Sequence, residues 1–256
     1  MIKALFFDVD GTLFSHTLSA VPPSALDALE RLRERGVLLF LATGRHRTTL
    51  ETLNLSAFPF DGYITLTGHL CYDGAWNPVF RSPFPEPDRT ALQATFESRR
   101  VPLLIQHEHF SYMNFVDRRA AGMLEEASSA PAPVASFSPE PVYSAAVFCA
   151  EEDTEEMMRG MPACRLSRWA PTGFDIISRR IGKASGISVM MERFGFRREE
   201  TAAFGDADND AEMIAFAGVG IAMGNGSLRA RTSADYVTSS VDEDGISRAV
   251  HRLGIL

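Results

Sequence analysis

The chain has 256 residues, 45% of them hydrophobic, a net charge of −8 and a pI near 5.3. That supplies apolar material for one large or two modest cores, and the acidic balance disfavours nucleic acid or an anionic membrane surface as a partner. The start lacks a basic leader and runs straight into Asp8, no stretch approaches a membrane span, and Cys71, Cys149 and Cys164 are scattered, so a cytoplasmic protein without a disulfide framework or zinc site is expected.

Residues 1–7 read as a buried strand, and Asp8 and Asp10 emerge where it gives way to Gly11-Thr12. Strands covered on both faces read as short continuous apolar runs, and a doubly wound sheet binds ligands beyond their carboxyl ends. Two carboxylates one residue apart repel each other unless a cation stands between them, which points to metal-assisted chemistry; a simple Asp-Gly turn is the alternative. Pro22-Pro23-Ser24 opens a helix with Ala25, Leu26, Leu29 and Leu32 on one stripe, and Gly36 closes it. The strand 37–42 follows and ends in Thr43-Gly44-Arg45. Residues 46–54 read as a helix, 63–67 as a strand, and Asp73-Gly74 as a hairpin turn between the apolar runs 69–72 and 76–80.

The pattern then changes. Pro83, Pro85 and Pro87 make a stiff connection, followed by a helix over 88–99, paired strands over 102–107 and 110–116, and a helix over 117–128. A Pro/Ala/Ser-rich loop spans 129–141; strand 142–149, an acidic helix over 151–160 and strands 163–169 and 173–178 come next. Helix-strand-strand occurs twice, without a repeat in the sequence itself. From Lys183 the first pattern returns: a helix, a strand 201–204 ending in Gly205-Asp206-Ala207-Asp208-Asn209-Asp210, strands 219–223 and 236–238, and a last helix over 244–253. The expected fold is therefore α/β, a doubly wound, Rossmann-like parallel-sheet core (1–83 and 179–256) with an inserted α/β cap domain (84–178).

Asp8-Val9-Asp10-Gly11-Thr12, then Thr43, Lys183 and Gly205-Asp206-x-x-Asn209-Asp210 stand in a definite order. In this the chain resembles the haloacid dehalogenase superfamily, and within it the Cof-type phosphatases, over the span from Asp8 to Asp210. The resemblance implies a cap that closes over the active site and chooses the substrate. Phosphoryl transfer needs an in-line nucleophile, positive charge around the equatorial oxygens and a proton for the leaving oxygen. Asp8 is the expected nucleophile, forming an aspartyl-phosphate, and Asp10 the acid and base, a role that calls for a pKa pushed upward. Mg2+ would be held by Asp8, Asp206 and the backbone carbonyl of Asp10, with Asp210 supporting through water or a second layer. Thr43 and the amides of Val9 and Gly44 would bind phosphoryl oxygens, Lys183 would bring a compact charge, and Asn209 a hydrogen bond.

Taken singly, Thr43-Gly44 reads as a turn, Lys183 as a helix-start surface lysine and Asn209 as an N-cap; their joint order favours catalysis. Arg45 stands between steering a substrate and pairing with a carboxylate. In the insertion, His107, His109, Tyr112, Asn114, Arg118, Arg119, Arg168 and Trp169 are the candidates for reading a substrate. The chain departs from the family pattern at Thr67-Gly68, where Asn-Gly is usual, and at Ala184, where glycine usually follows the lysine. A magnesium-dependent phosphohydrolase acting on a small phosphorylated metabolite, such as a sugar phosphate, is expected. The alternatives are a phosphosugar mutase on the same core and a non-catalytic phosphate-binding protein; a dehalogenase would have no use for Asp10. Oligomeric state is open.

Overall fold

The computed structural model describes residues 1–53, 55, 58–127, 129 and 132–256, which divide into two compact units. The first comprises Met1–Arg45, Leu50–Arg81 and Gly182–Leu256; the second comprises His46–Thr49 and Ser82–Ile181.

The first unit begins with β1 (Ala4–Phe7), α1 (Pro23–Glu34), β2 (Leu38–Ala42), α2 (Arg47–Thr52, shared with the second unit) and β3 (Gly62–Thr65). A three-residue 3-10 turn, Leu66–Gly68, leads to the hairpin β4 (Leu70–Asp73) and β5 (Pro78–Arg81). After the second unit's α3 (Glu86–Ser98), β6 (Leu103–Gln106), β7 (Ser111–Met113), α4 (Arg118–Glu126), β8 (Ser144–Phe148), α5 (Thr154–Met158), β9 (Cys164–Ala170) and β10 (Gly173–Ser178), the first unit resumes. It adds α6 (Lys183–Phe194), β11 (Thr201–Gly205), α7 (Ala211–Phe216), β12 (Val219–Ala222), α8 (Leu228–Ser233), β13 (Tyr236–Val237) and α9 (Gly245–Arg252).

Its sheet runs β13-β12-β11-β1-β2-β3-β4-β5, parallel from β13 to β3 and antiparallel at β4 and β5. Every residue of β1 and β11 is buried because helices cover both faces. Ala4 and Phe6 of β1 pack with Phe40, Ala203 and the Ile187 and Met190 side of α6, while α1 and α9 pack on each other and α1 against β2. In α1 the buried stripe is Ala25, Ala28, Leu29 and Leu32. Leu26, assigned to that stripe from the sequence, is exposed, since Ala28 is the position that completes it. Gly36 follows the helix with φ +77°, the left-handed value that ends it.

The hairpin exists, but not as a two-residue Asp-Gly turn. Gly74 to Asn77 form a longer loop in which the Asp73 carboxylate accepts from the Ala75 and Asn77 amides at 3.0 and 2.8 Å, and Trp76 takes the left-handed conformation at φ +62°. Trp76 is held there by stacking on Tyr63, ring centroids 3.9 Å apart.

The second unit has an antiparallel sheet ordered β7-β6-β8-β10-β9. Alternation along β8 divides its side chains: Ala145 and Val147 join Leu92, Phe96 and Met157, and Ala146 and Phe148 join Ala120, Met123 and Leu124. Helices α3 and α5 thus serve one face and α4 the other. Helix-strand-strand does occur twice, as α3-β6-β7 and α5-β9-β10, with α4-β8 between them. Position 54 of the expected 46–54 helix, position 128 of the expected 117–128 helix, and positions 130 and 131 of the expected loop lie outside the described residues. Among the described residues no helix is long and apolar enough to cross a membrane.

Candidate active site

Because β11, β1 and β2 are adjacent and parallel, their carboxyl ends share one edge of the sheet. Asp8 follows β1, Asp206 follows β11 and Thr43 follows β2, while Lys183 is the first residue of α6. The Asp8 amide donates to the Phe204 carbonyl at 2.9 Å, which carries the strand pairing one residue past β1. The Ser185 hydroxyl accepts from the Gly182 amide at 3.0 Å and caps the start of α6.

Lys183 is buried, and its ammonium donates to Asp8 Oδ1 and Asp210 Oδ1, each at 2.5 Å. Asp210 Oδ2 accepts from the Asp206 and Ala207 amides at 3.0 and 2.9 Å, so both Asp210 oxygens are engaged within the protein. One carboxylate oxygen from each of Asp8, Asp206 and Asp210 lies within 4.8 Å of the others. Thr12 Oγ1 donates to Asp206 Oδ1 at 2.9 Å. Gly11, at φ +74°, lies so close that a Cβ there would sit 2.5 Å from Asp206 Oδ2, which requires glycine on both counts.

Asp10 is not part of this convergence. Arg45 grips it as a fork, Nε to Oδ2 and Nη2 to Oδ1, both at 2.6 Å, and His16 Nε2 lies 3.0 Å from Oδ1. Of the two roles open to Arg45, the structure has it pair with a carboxylate. Thr43 is buried, its hydroxyl accepts from the Arg45 amide at 3.0 Å, and its carbonyl accepts from the Thr67 amide at 2.9 Å. Val9 is buried, its carbonyl accepting from the Leu13 and Phe14 amides at 3.0 and 2.7 Å; Gly44 is half-buried. Asn209 is half-buried, with a buried Oδ1 that has no hydrogen-bond partner.

The electrostatics follow from crowding. Burial, then Asp210, Asp206 and Asp10, push the Asp8 carboxyl well above its ordinary value, against the opposing pull of Lys183. Burial and Asp210 raise Asp206 to about 7, although the Thr12 hydrogen bond opposes them. Burial disfavours the Lys183 charge, yet Asp210 and Asp8 raise its pKa and hold it protonated. At Asp10, burial is outweighed by the hydrogen bonds and charges of Arg45 and His16, and the pKa falls to about 2. The raised Asp10 expected from the sequence is thus not found in this arrangement, because two cationic donors reach it. His16 is raised in turn, first by its hydrogen bond to Asp10.

A sequence profile of haloacid dehalogenase-like hydrolases matches residues 5–250. The chain belongs to this family. This haloacid dehalogenase-like protein is similar to the putative phosphatase YkrA of Bacillus subtilis (strain 168), with 29% identity over 268 residues, 99% of this chain and 98% of that one. It is also similar to the 5-amino-6-(5-phospho-D-ribitylamino)uracil phosphatase YcsE of the same organism, at 26% identity over 97% of this chain and 94% of that one. Among solved structures it resembles the haloacid dehalogenase subclass IIB sugar phosphatase BT4131, with a TM-score of 0.87 and 33% identity over 99% of this chain and 100% of that one. It likewise resembles BT1666 from Bacteroides thetaiotaomicron, with a TM-score of 0.90 and 27% identity over 100% and 96% of the two chains. The protein is an enzyme, a phosphatase of the Cof type.

Sequence reasoning gave no role to three side chains of this phosphatase: Thr12, which donates to Asp206, His16, which reaches Asp10, and Asp242, which accepts from the Ser15 and Thr17 hydroxyls. Thr12 was legible as the hydroxyl closing Asp-x-Asp-Gly-Thr; His16, in a turn after Ser15, and Asp242, in a 3-10 turn over Val241–Glu243, belong to no motif. Several candidates in the insertion are committed inside the second unit. Asn114 Oδ1 accepts from the Leu103 and Phe115 amides, and its Nδ2 donates to the Phe96 and Val101 carbonyls. His107 contacts the Pro141 carbonyl at 2.8 Å, and Arg168 pairs with Glu151 at 3.0 Å. Arg118 and Arg119 are exposed, and the buried indole nitrogen of Trp169 has no partner.

Proposed function

We propose that the chain is a magnesium-dependent phosphatase of small phosphate monoesters, sugar phosphates foremost, working through an aspartyl-phosphate on Asp8. The observation that carries this reading is the convergence of Asp8, Asp206 and Asp210 around Lys183. The fit to a divalent ion rests on that same geometry. The raised Asp8 and Asp206 carboxyls lack sufficient positive charge nearby, and their donors are hard oxygens, the set that magnesium prefers. Asp8, Asp206 and the backbone carbonyl of Asp10 would hold it, with Asp210 behind them orienting Lys183 and the 206–207 turn. When bound, the ion supplies positive charge to the phosphoryl oxygens during transfer.

The chain's own residues do the rest. A carboxylate oxygen of Asp8 attacks phosphorus, the ester P–O bond breaks, and its electron pair goes to the leaving oxygen; Asp10, having taken a proton from solvent once substrate displaces one of the donors that hold it ionised, passes that proton to this oxygen. Water then gives a proton to Asp10 and attacks phosphorus, which frees phosphate and restores Asp8. Thr43 and the amides of Val9 and Gly44 bind the equatorial oxygens, Asn209 adds a hydrogen bond, and Lys183 offsets the charge that gathers at Asp8. Residues 84–178 act as the substrate-reading cap.

Phosphate release from a panel of phosphorylated metabolites, with magnesium present, tests the reading. Asp8→Asn should abolish release while leaving the circular dichroism spectrum and melting temperature near those of the wild type, because an amide is a poor nucleophile. A folded variant with wild-type kcat would remove Asp8 from the mechanism. Isomerised phosphosugar in place of free phosphate would make the enzyme a mutase.

A further inference from the structure

Asp10 is held by three donors, and they are not equivalent. The Arg45 side chain is 9% exposed and takes both carboxylate oxygens at 2.6 Å. The His16 side chain is 40% exposed and reaches Oδ1 alone, at 3.0 Å. Arg45 is therefore the fixed partner and His16 the exchangeable one, since a longer bond at a solvent-facing edge is the cheaper to give up.

His16 is itself aimed by a braced loop. Ser15 and Ala20 exchange backbone hydrogen bonds at 2.9 and 3.2 Å, and the Leu18 amide donates to Ser15 Oγ at 3.0 Å. The Asp242 carboxylate accepts from the Ser15 hydroxyl through Oδ1 and from the Thr17 hydroxyl through Oδ2, the latter at 3.0 Å, so the chain on both sides of His16 is tied to one carboxylate. The His16 ring meets buried Phe14 edge-on, centroids 5.5 Å apart, which limits its rotation.

We propose that His16 is a positioning residue for Asp10: its ring N–H occupies the Oδ1 direction that the leaving-group oxygen takes over during the reaction. Before substrate arrives, His16 and Arg45 hold the carboxylate in one rotamer. When substrate arrives, His16 gives up Oδ1, which takes a proton from solvent and donates it to the ester oxygen, while Arg45 keeps the carboxyl plane in place. His16 does not touch phosphorus and is not a catalytic residue. The proposal rests on the reading of Asp10 as the acid.

The test compares two esters that differ in their need for a proton: p-nitrophenyl phosphate, whose leaving group departs unaided, and glycerol 2-phosphate, whose alkoxide does not. His16→Phe keeps the ring against Phe14 and removes the N–H; His16→Gln keeps a side-chain N–H. Because His16 acts on the free enzyme, loss of its hydrogen bond to the charged carboxylate predicts that His16→Phe lowers kcat/KM on glycerol 2-phosphate by about tenfold. The same variant should lose no more than about twofold on the aryl ester, and His16→Gln should recover most of the difference. Equal losses on both esters, no loss on either, or no recovery with Gln would overturn the positioning role and leave the phosphatase reading standing. No phosphate release from either ester by the wild-type enzyme with magnesium would overturn that reading and this proposal together.

Discussion

At the scale of single residues, the ion pairs fall into two kinds with different consequences. Lys183 stands between Asp8 and Asp210 away from water, and removing it leaves two buried carboxylates facing each other. Breaking a buried pair by deleting one partner costs about 3–5 kcal/mol. Lys183→Met should therefore lower the urea midpoint by a corresponding amount and stop phosphate release; a change of a few tenths of a kcal/mol would mean that the pair contributes little to holding α6 on the sheet. Glu200 is the other case, a buried carboxylate whose partners Lys3 and Arg197 are exposed. It binds Lys3 Nζ at 2.7 Å and the Arg197 amide at 2.9 Å, and these hydrogen bonds take its pKa from an ordinary 4.5 down to about 2. The folded value lies below the unfolded one, so its stabilisation is complete above about pH 4.5 and disappears as the pH falls toward 2. Glu200→Gln should lower the melting temperature at pH 7 and flatten the decline between those limits; parallel acid limbs for the two proteins would contradict this.

Among the elements, the turn between β3 and β4 carries the clearest strain. Leu66, Thr67 and Gly68 have φ of +48°, +55° and +96°, so a bulky and a β-branched residue both sit in the left-handed region. The turn is kept because it holds the site: the Thr67 amide donates to the Thr43 carbonyl at 2.9 Å, and the Leu66 amide to the Arg45 carbonyl at 3.3 Å. Asparagine tolerates this conformation better than threonine, which gives a physical content to the Asn-Gly usual in the family. Thr67→Asn should raise stability by about 1 kcal/mol in urea titration with the slope unchanged; a lower midpoint would show that packing of the buried threonine outweighs the backbone strain. The same turn marks how far the sequence was legible. Apolar runs bounded by glycine and proline disclosed nearly every strand and helix, because burial on both sheet faces leaves a plain compositional trace. Left-handed residues such as Thr67 and Trp76 leave none, as tertiary contacts impose them. At the site, Asp8, Lys183, Asp206 and Asp210 were legible from the joint order of their motifs, since Lys183 alone reads as a helix-start surface lysine, whereas the turning of Asp10 toward Arg45 and His16 was not, because it depends on a side-chain rotamer.

On the scale of the whole molecule, the excess of buried carboxylate at one sheet edge makes activity a question of supplied charge. Chelation should abolish phosphate release and magnesium restore it, while calcium, larger and with a looser coordination shell, should restore little. Full activity in metal-stripped protein would remove the ion from the reaction. The second unit invites a different measurement. Arg118 is exposed rather than engaged in the sheet of that unit, so Arg118→Ala, if it reads substrate, should alter kcat/KM for a favoured phosphosugar by roughly tenfold and leave p-nitrophenyl phosphate almost untouched. An unchanged ratio would exclude it as a reader.

The order of strands also bears on how the chain is made. β1 pairs on one side with β2, its neighbour in sequence, and on the other with β11, Ala4 opposite Thr201. On the ribosome, β1 to β5 emerge first and present the apolar flank of Ala4–Phe7 as an open edge until β11 has been translated. The five strands between Leu103 and Ser178 emerge in the meantime and complete a sheet of their own. The nascent enzyme thus passes through a period in which an apolar central strand has one unpaired edge. Brisk elongation through residues 82–181, or a chaperone resting on the β1 edge, would shorten or shelter that interval.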